Sequence, residues 1–213
     1  MSSKFLQAFG STRLYPITDQ RLSGLSHAEQ VVLLSNCGAT LIQLREKIDP
    51  PAKFFELAES AVRVARGLGA KIIINDRVDI ALAVNADGVH LGQDDLPPDA
   101  ARHILGSDAI IGFSTHSLKQ ARLAAQMPVD YVAIGPIFAT TTKQSANAPV
   151  GLDGLACVRE ALGAIPLVAI GGITNDNIGA VIKSGADVAA VIGDIWELPN
   201  DSRVKIKQLL SYS

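Results

Sequence analysis

The sequence predicts a single-domain (β/α)8 TIM barrel, on three observations. From Arg13 to Leu210, eight short apolar runs alternate with eight stretches of helical character, the order expected of parallel strands joined by crossover helices. No linker or shift in composition divides the 213 residues, so a barrel over 13–213 follows an N-terminal extension, 1–12. No Gly-x-Gly-x-x-Gly motif follows the first apolar run, which argues against an open, doubly wound sheet.

Strand one is expected over Arg13 to Thr18, ending in Thr18-Asp19-Gln20. The next helix opens at Ser26 with Glu29 three residues on, a reciprocal capping pair, and Ala28, Val31, Val32 and Ser35 keep helical spacing as far as Gly38. Strand two is Thr40 to Leu44. Asp49 and two prolines then open a long helix with Phe54, Leu57, Ala58, Ala61, Val62 and Ala65 on one face, closed by Gly67 and Gly69. Strand three, Lys71 to Ile74, is apolar throughout, as a parallel strand covered on both sides should be. A helix from Val78 to Val84, strand four from Gly88 to Leu91, a helix from Pro98 to Leu105 and strand five from Ala109 to Phe113 continue the period. The helix beginning near Ser117 turns Leu118, Ala121 and Ala124 or Ala125 inward, and strand six is Val129 to Ile134. Beyond it, Gly135 to Val150 forms the longest non-periodic segment, which in a compact domain marks a functional loop. A helix over Leu152 to Leu162, strand seven over Pro166 to Ile170, a helix from Thr174 or Asn175 to Ser184, strand eight over Asp187 to Ile192 and a last helix over Pro199 to Leu210 complete the chain.

Composition narrows the function. Apolar residues make up 48% and charged residues 19% of the chain, which suits a folded core. With 19 basic and 21 acidic residues intermixed and a net charge of −2, there is no basic stripe for nucleic acid. Neither a signal-like apolar run near the N-terminus nor a span of eighteen apolar residues occurs, so no membrane partner is expected and the protein is read as cytoplasmic. Cys37 and Cys157 lack metal spacing and are read as small buried hydrophobes. His27 and His103 are read as surface helix residues. His90 and His116 fall near the barrel rim, where a structural role competes with a catalytic one.

In such a barrel the site lies at the C-terminal ends of the strands, so the residues after each strand form a ring. Here the ring holds Arg45 and Lys47, then Asn75 and Asp76, Gln93 and Asp95, Ser114 and Thr115, Thr140 to Lys143, Gly171 and Gly172, and Gly193. Any single cation–carboxylate pair could be a weak surface ion pair. As a set, two cations, two acids and an amide suit a diphosphate held through Mg2+, which takes one or two carboxylates plus phosphate oxygens while Arg and Lys neutralise the rest. Gly171-Gly172 and Gly193, after strands seven and eight, suit a second phosphate approached by backbone amides.

Six blocks carry a family resemblance: Gln-Leu-Arg-Glu-Lys at 43–47, Ile-Asn-Asp-Arg-Val-Asp at 74–79, Asp-Gly-Val-His-Leu-Gly-Gln-x-Asp-Leu at 87–96, Gly-x-Ser-Thr-His at 112–116, Gly-Pro-Ile-Phe-x-Thr-x-Thr-Lys at 135–143 and Ala-Ile-Gly-Gly-Ile at 169–173. In this order, over residues 13–195, they resemble the thiamine phosphate synthase family. The resemblance implies a transferase that joins 4-amino-2-methyl-5-(diphosphomethyl)pyrimidine to a thiazole phosphate, plain or carboxylated, through a pyrimidine cation, with release of pyrophosphate. It implies that Asp76 and Asp95 hold Mg2+. It assigns the pyrimidine diphosphate to Gln43, Leu44, Arg45, Glu46, Lys47, Asn75, Ser114 and Lys143, with Arg45, Lys47, Ser114 and Lys143 taking part in catalysis. The thiazole phosphate falls to Thr140, Thr141, Thr142, Gly172, Ile192 and Gly193. The partners implied are these small molecules, and the family hints at homo-oligomers.

The chain departs from the family pattern at two places. Gly193 stands where the family usually has Ser, which removes a side-chain contact to the thiazole phosphate, and Gln144 to Pro149 differs from the shorter, proline-richer loop of the family. The rival readings are a thiazole tautomerase on the same fold, against which Asp76, Asp95, Arg45, Lys47 and Lys143 argue, and a non-catalytic regulator that binds thiamine precursors.

Overall fold

The computed structural model describes residues 3–10, 12–140, 148–197 and 201–212. Eight parallel strands, β1 (Leu14–Pro16), β2 (Leu41–Leu44), β3 (Lys71–Asn75), β4 (Gly88–Leu91), β5 (Ile110–Thr115), β6 (Tyr131–Ile134), β7 (Leu167–Ile170) and β8 (Val188–Val191), run in the order β1-β8-β7-β6-β5-β4-β3-β2. A bridge between Ile17 and Gln43, where the Thr18 amide donates to Gln43 O at 2.9 Å, brings β1 against β2 and curls the sheet into the expected barrel. The crossover helices are α3 (His27–Asn36), α4 (Pro51–Gly67), α5 (Val78–Ala83), α6 (Pro98–Leu105), α7 (Leu118–Ala124), α8 (Gly151–Leu162) and α9 (Ile178–Lys183), and α11 (Ser202–Leu210) follows β8. Three four-residue helices have no counterpart in the sequence reading: α1 (Lys4–Gln7), α2 (Gln20–Ser23) and α10 (Gly193–Trp196). Each is too short for a 3.6-residue period to show.

The strands divide the core because successive side chains face opposite sides of the sheet. Ile72 and Ile74 point out to the helices, while Ile73 points in with Tyr15, Leu41, Ile110, Tyr131, Val168 and Val188. The interior is sealed from below by α1. Lys4 donates to the carbonyls of Ser107 and Ala109 before β5, and Ala8 O accepts from Thr40 before β2, so the helix lies at the N-terminal ends of the strands. There Phe5 stacks on Tyr131 at 3.9 Å and meets Phe9 edge-on at 5.0 Å.

Several local expectations are corrected. The buried face of α3 is His27, Gln30, Val31 and Leu34, while Val32 is exposed. His27 is therefore a core residue, because its Nδ1 bonds Thr18 Oγ1 at 2.7 Å, and Gln30 Oε1 accepts from the Asp19 amide at 2.9 Å. These polar pairings rotate the face away from the apolar count. The Ser26–Glu29 capping box forms as expected. Strand β5 runs two residues beyond Phe113, so Ser114 and Thr115 belong to the strand itself. Helix α9 starts at Ile178, after a turn in which Asn177 Oδ1 accepts from the Thr174 amide at 2.8 Å. Cys157 is exposed and Cys37 half-buried, since the inner face of α8 is Leu155, Val158 and Leu162. Among the described residues no helix is long and apolar enough to cross a membrane.

Candidate active site

A cavity of about 990 Å3 opens at the C-terminal ends of the strands. Of the residues expected from the sequence, Gln43, Arg45, Lys47, Asn75, Asp76 and Asp95 line one side. Ser114 lies at its floor, and Thr140, Gly172, Ile192 and Gly193 line the other side. Leu44 and Glu46 do not line it. Leu44 is fully buried in the outer core, as its strand alternation requires. Thr141, Thr142 and Lys143 lie outside the described residues.

The acidic side is built by neighbouring strand ends, with Asn75 opposite His90 in the register of β3 and β4. Just past β3, Asp76 adopts φ 63, a left-handed conformation that costs energy for any side chain and that Asp tolerates better than most. Its amide donates to His90 O at 2.8 Å, and its Oδ2 takes the Lys47 ammonium. Asp95 turns back through Oδ2 to accept the Gly92 amide at 2.6 Å. Burial raises the Asp95 carboxyl, the Gly92 amide lowers it, and the nearby Asp76 carboxylate raises it again, leaving it above the ordinary value. The Asp76 carboxylate thus disfavours charge on Asp95, which a cation between the two would relieve. Magnesium fits this pair, since it takes one or two carboxylates and fills its remaining positions with phosphate oxygens and water. Asp79, by contrast, is exposed and paired with Arg77, and Asp94 lies exposed at the cavity mouth.

Asn75 supplies a further sign of an incoming ligand. Among the described residues its Nδ2, buried at the cavity wall, has no hydrogen-bond partner, which costs about 1–3 kcal/mol until an acceptor arrives.

Arg45 reaches the cavity while its Nη1 pairs with Asp19 Oδ2 at 2.9 Å, and Asp19 Oδ1 caps α2 through the Leu22 amide. The guanidinium keeps further donors for a ligand. Glu46 shapes the loop beneath: Oε1 accepts from the amides of Lys47, Ile48 and Asp49 at 2.7, 2.7 and 3.1 Å, and Oε2 accepts from Gln20 Nε2 at 3.0 Å. Burial pushes the Glu46 carboxyl up, but these bonds outweigh it and bring it down to about 2. Glu46 thus folds the loop that carries Lys47 and does not face the cavity. Below it, His27 Nε2 stands 3.6 Å from Glu46 Oε2, and burial holds the imidazole below its ordinary pKa.

At the floor, His90 bonds Tyr131 through Nδ1 and Ser114 Oγ through Nε2, both at 2.8 Å. Gln93 Nε2 donates to Ser114 O at 2.6 Å. His116 bonds Gly135 O through Nδ1 at 2.6 Å and so braces the loop after β6.

The opposite side is made of backbone. Gly171 and Gly172 have φ of 101° and 64°, and a Cβ at Gly172 would collide with Phe138 and Ala139 of the loop after β6. Asn177 Nδ2 donates to Gly172 O at 2.9 Å and fixes this turn. Sequence reasoning missed Asp194 and Glu197, which also line the cavity. Asp194 accepts from the Asn175 amide and from Lys205, both at 3.2 Å, so its charge ties the loop after β7 to α10 and α11. An acid three residues beyond β8 was the available signal. Tyr15 and Tyr131 were missed as well, because each reads as an ordinary apolar strand residue.

Known proteins resemble the chain over this same span. Residues 14–195 match the family model described as thiamine monophosphate synthase. The thiamine-phosphate synthase of Syntrophomonas wolfei is 47% identical over 200 residues, 92% of this chain and 95% of its own. That of Chloroflexus aurantiacus is 46% identical over 184 residues, 86% of this chain and 84% of its own. Among solved structures, the thiamine phosphate pyrophosphorylase of Pyrococcus furiosus superposes with a TM-score of 0.83 at 38% identity, covering 93% of each chain.

Proposed function

Because the chain belongs to the thiamine monophosphate synthase family, we infer that it is a thiamine-phosphate synthase, a transferase acting on small molecules. We propose that it joins 4-amino-2-methyl-5-(diphosphomethyl)pyrimidine to 4-methyl-5-(2-phosphoethyl)thiazole, plain or carboxylated, to give thiamine phosphate, releasing pyrophosphate and, from the carboxylated form, carbon dioxide as well. The proposal extends to a cytoplasmic enzyme that uses Mg2+ and self-associates. The observation that supports the reading most directly is the pair Asp76 and Asp95, with Lys47 on Asp76 and Arg45 lining the same cavity of about 990 Å3.

The bond between the pyrimidine methylene and its diphosphate oxygen breaks, the electron pair leaving with pyrophosphate. The resulting cation is captured by the thiazole nitrogen, so no protein nucleophile takes part. Lys47, Arg45 and Lys143 neutralise the charge that grows on the leaving oxygens. Asn75 Nδ2 and the Ser114 hydroxyl orient the pyrimidine diphosphate from the wall and floor. A magnesium ion held by Asp76 and Asp95 would supply the remaining positive charge. The amides of Gly172 and Gly193, with Ile192 and Thr140 to Thr142, hold the thiazole phosphate.

Incubation with both substrates and Mg2+ should yield thiamine phosphate and pyrophosphate in equal amounts, read by chromatography and a pyrophosphate assay, and EDTA should stop both. A folded protein that makes neither overturns the reading in favour of a tautomerase or a binding module.

A further inference from the structure

Five polar side chains from five strands meet in the floor of the cavity. Gln43 Nε2 donates to Tyr15 OH at 3.3 Å, Tyr15 OH lies 3.2 Å from Tyr131 OH, and Tyr131 OH lies 2.8 Å from His90 Nδ1. His90 Nε2 then meets Ser114 Oγ at 2.8 Å. Most of the other inward positions around them are apolar, among them Ile73, Ile110 and Val168. Buried phenols and an imidazole in such surroundings persist only if each polar atom is bonded.

We infer that this column is a one-way hydrogen-bond relay that makes the Ser114 hydroxyl a donor toward the pyrimidine diphosphate, with Tyr15 and Tyr131 as positioning residues. The inference rests on the substrate reading given above. Its direction is set at Gln43. An amide nitrogen can only donate, so Tyr15 oxygen accepts and the Tyr15 proton turns to Tyr131. The Tyr131 proton then goes to His90 Nδ1, which leaves the imidazole proton on Nε2, donated to Ser114 Oγ. The proton of Ser114 is left to point into the cavity, where a phosphate oxygen accepts it. Burial raises both phenols well above their ordinary pKa, so they remain neutral donors.

Packing holds the relay in place. Phe5 stacks on Tyr131 from below, and the His90 ring lies 5.5 Å from the Tyr131 ring at 20°. Gly112 supplies the space, because a Cβ there would overlap the phenol ring of Tyr131.

The imidazole tautomer is read directly from two-bond 1H–15N spectra of the full chain labelled at its four histidines, with the His90 signals identified by their loss in His90→Asn. The relay requires protonated Nε2 and unprotonated Nδ1 at His90, and the opposite tautomer in the wild-type protein overturns it. This spectrum needs no substrate, so it decides the relay even where the turnover assay decides against the synthase. In turnover, Tyr131→Phe should lower kcat/KM for the pyrimidine diphosphate about tenfold, the worth of one aligned hydrogen bond, while KM for the thiazole phosphate stays unchanged. In a Ser114→Ala background the same change should add less than about twofold, because Tyr131 acts through Ser114. Full additivity of the two losses overturns the inference. Should Tyr131→Phe fail to fold, Tyr15→Phe leaves the Tyr131–His90 bond in place and is expected to mix the His90 tautomers. An unchanged single tautomer together with unchanged turnover in Tyr15→Phe counts against the relay.

Discussion

Across the mouth of the barrel, the β2–β4 side presents Arg45, Lys47, Asp76 and Asp95, whereas the β7–β8 side presents Gly171, Gly172 and Gly193. On the first side each of these four charges already has a protein partner: Lys47 with Asp76, Arg45 with Asp19, and Asp95 with the Gly92 amide. A ligand arriving there exchanges one ionic partner for another, so the site avoids exposing bare charge in either state. On the second side recognition depends on the path of the backbone, which Asn177 and the Asp194–Lys205 pair hold in place. In the proposed function, the two phosphorylated substrates would thus be told apart by the means of holding them, charge for the diphosphate and shape for the monophosphate.

The largest expected effect falls on the charged side. Asp76→Asn keeps a residue that accepts the left-handed backbone at φ 63 and removes only the charge. Product formation should fall at least about 100-fold, the scale seen when one group stabilising developing charge is lost. The melting temperature should hardly move, because Lys47 is half-exposed and its pair with Asp76 contributes little to folding. Undiminished turnover with Mg2+ would break the assignment of this side to the diphosphate.

The two sides also differ in how far they could be read without a structure. Acids and cations directly after apolar runs stand out, so Arg45, Lys47, Asp76 and Asp95 were legible as a set, and the barrel followed from the alternation of strands and helices. Glu46 was misplaced for a physical reason. Position in a loop does not fix where a side chain points, and only the bonds from the amides of Lys47, Ile48 and Asp49 show that Glu46 turns back onto its own loop, away from the cavity. His27 was misjudged because its burial depends on Thr18 from another element. The floor column was illegible because pleat phase decides whether Tyr15 and Tyr131 face the helices or the cavity, and strands of three or four residues do not reveal it. The glycine side became legible only through its place in the strand count.

Glu46→Gln tests whether the charged side depends on the loop under it. The folded-state pKa of Glu46 lies at about 2, below its ordinary 4.5. A depressed carboxyl stabilises the fold above pH 4.5, and that contribution is lost as pH falls from 4.5 through 2. At pH 7 the variant should melt about 2–4 °C lower, the response of a chain this size to roughly 1 kcal/mol. The gap should narrow through pH 4 and close near pH 2, as followed by circular dichroism. KM for the pyrimidine diphosphate should rise at pH 7 while that for the thiazole phosphate holds. Equal changes in both would mean that the two sides share one scaffold.

The smallest effect is expected on the glycine side, and it bears most closely on the contrast. Gly193 is the first residue of α10, with helical backbone that serine accepts, and it lines the cavity. If shape alone serves the thiazole phosphate, Gly193→Ser adds one hydroxyl donor to a site that already works. One added bond corresponds to a KM for the thiazole phosphate lowered by about 2–10-fold. Steady-state kinetics with each substrate varied should show that gain with kcat and the pyrimidine KM unchanged. A raised thiazole KM would instead mean that the phosphate lies against the backbone at Gly193, so that glycine there is a steric requirement and the difference between the two sides is sharper than side-chain chemistry alone implies.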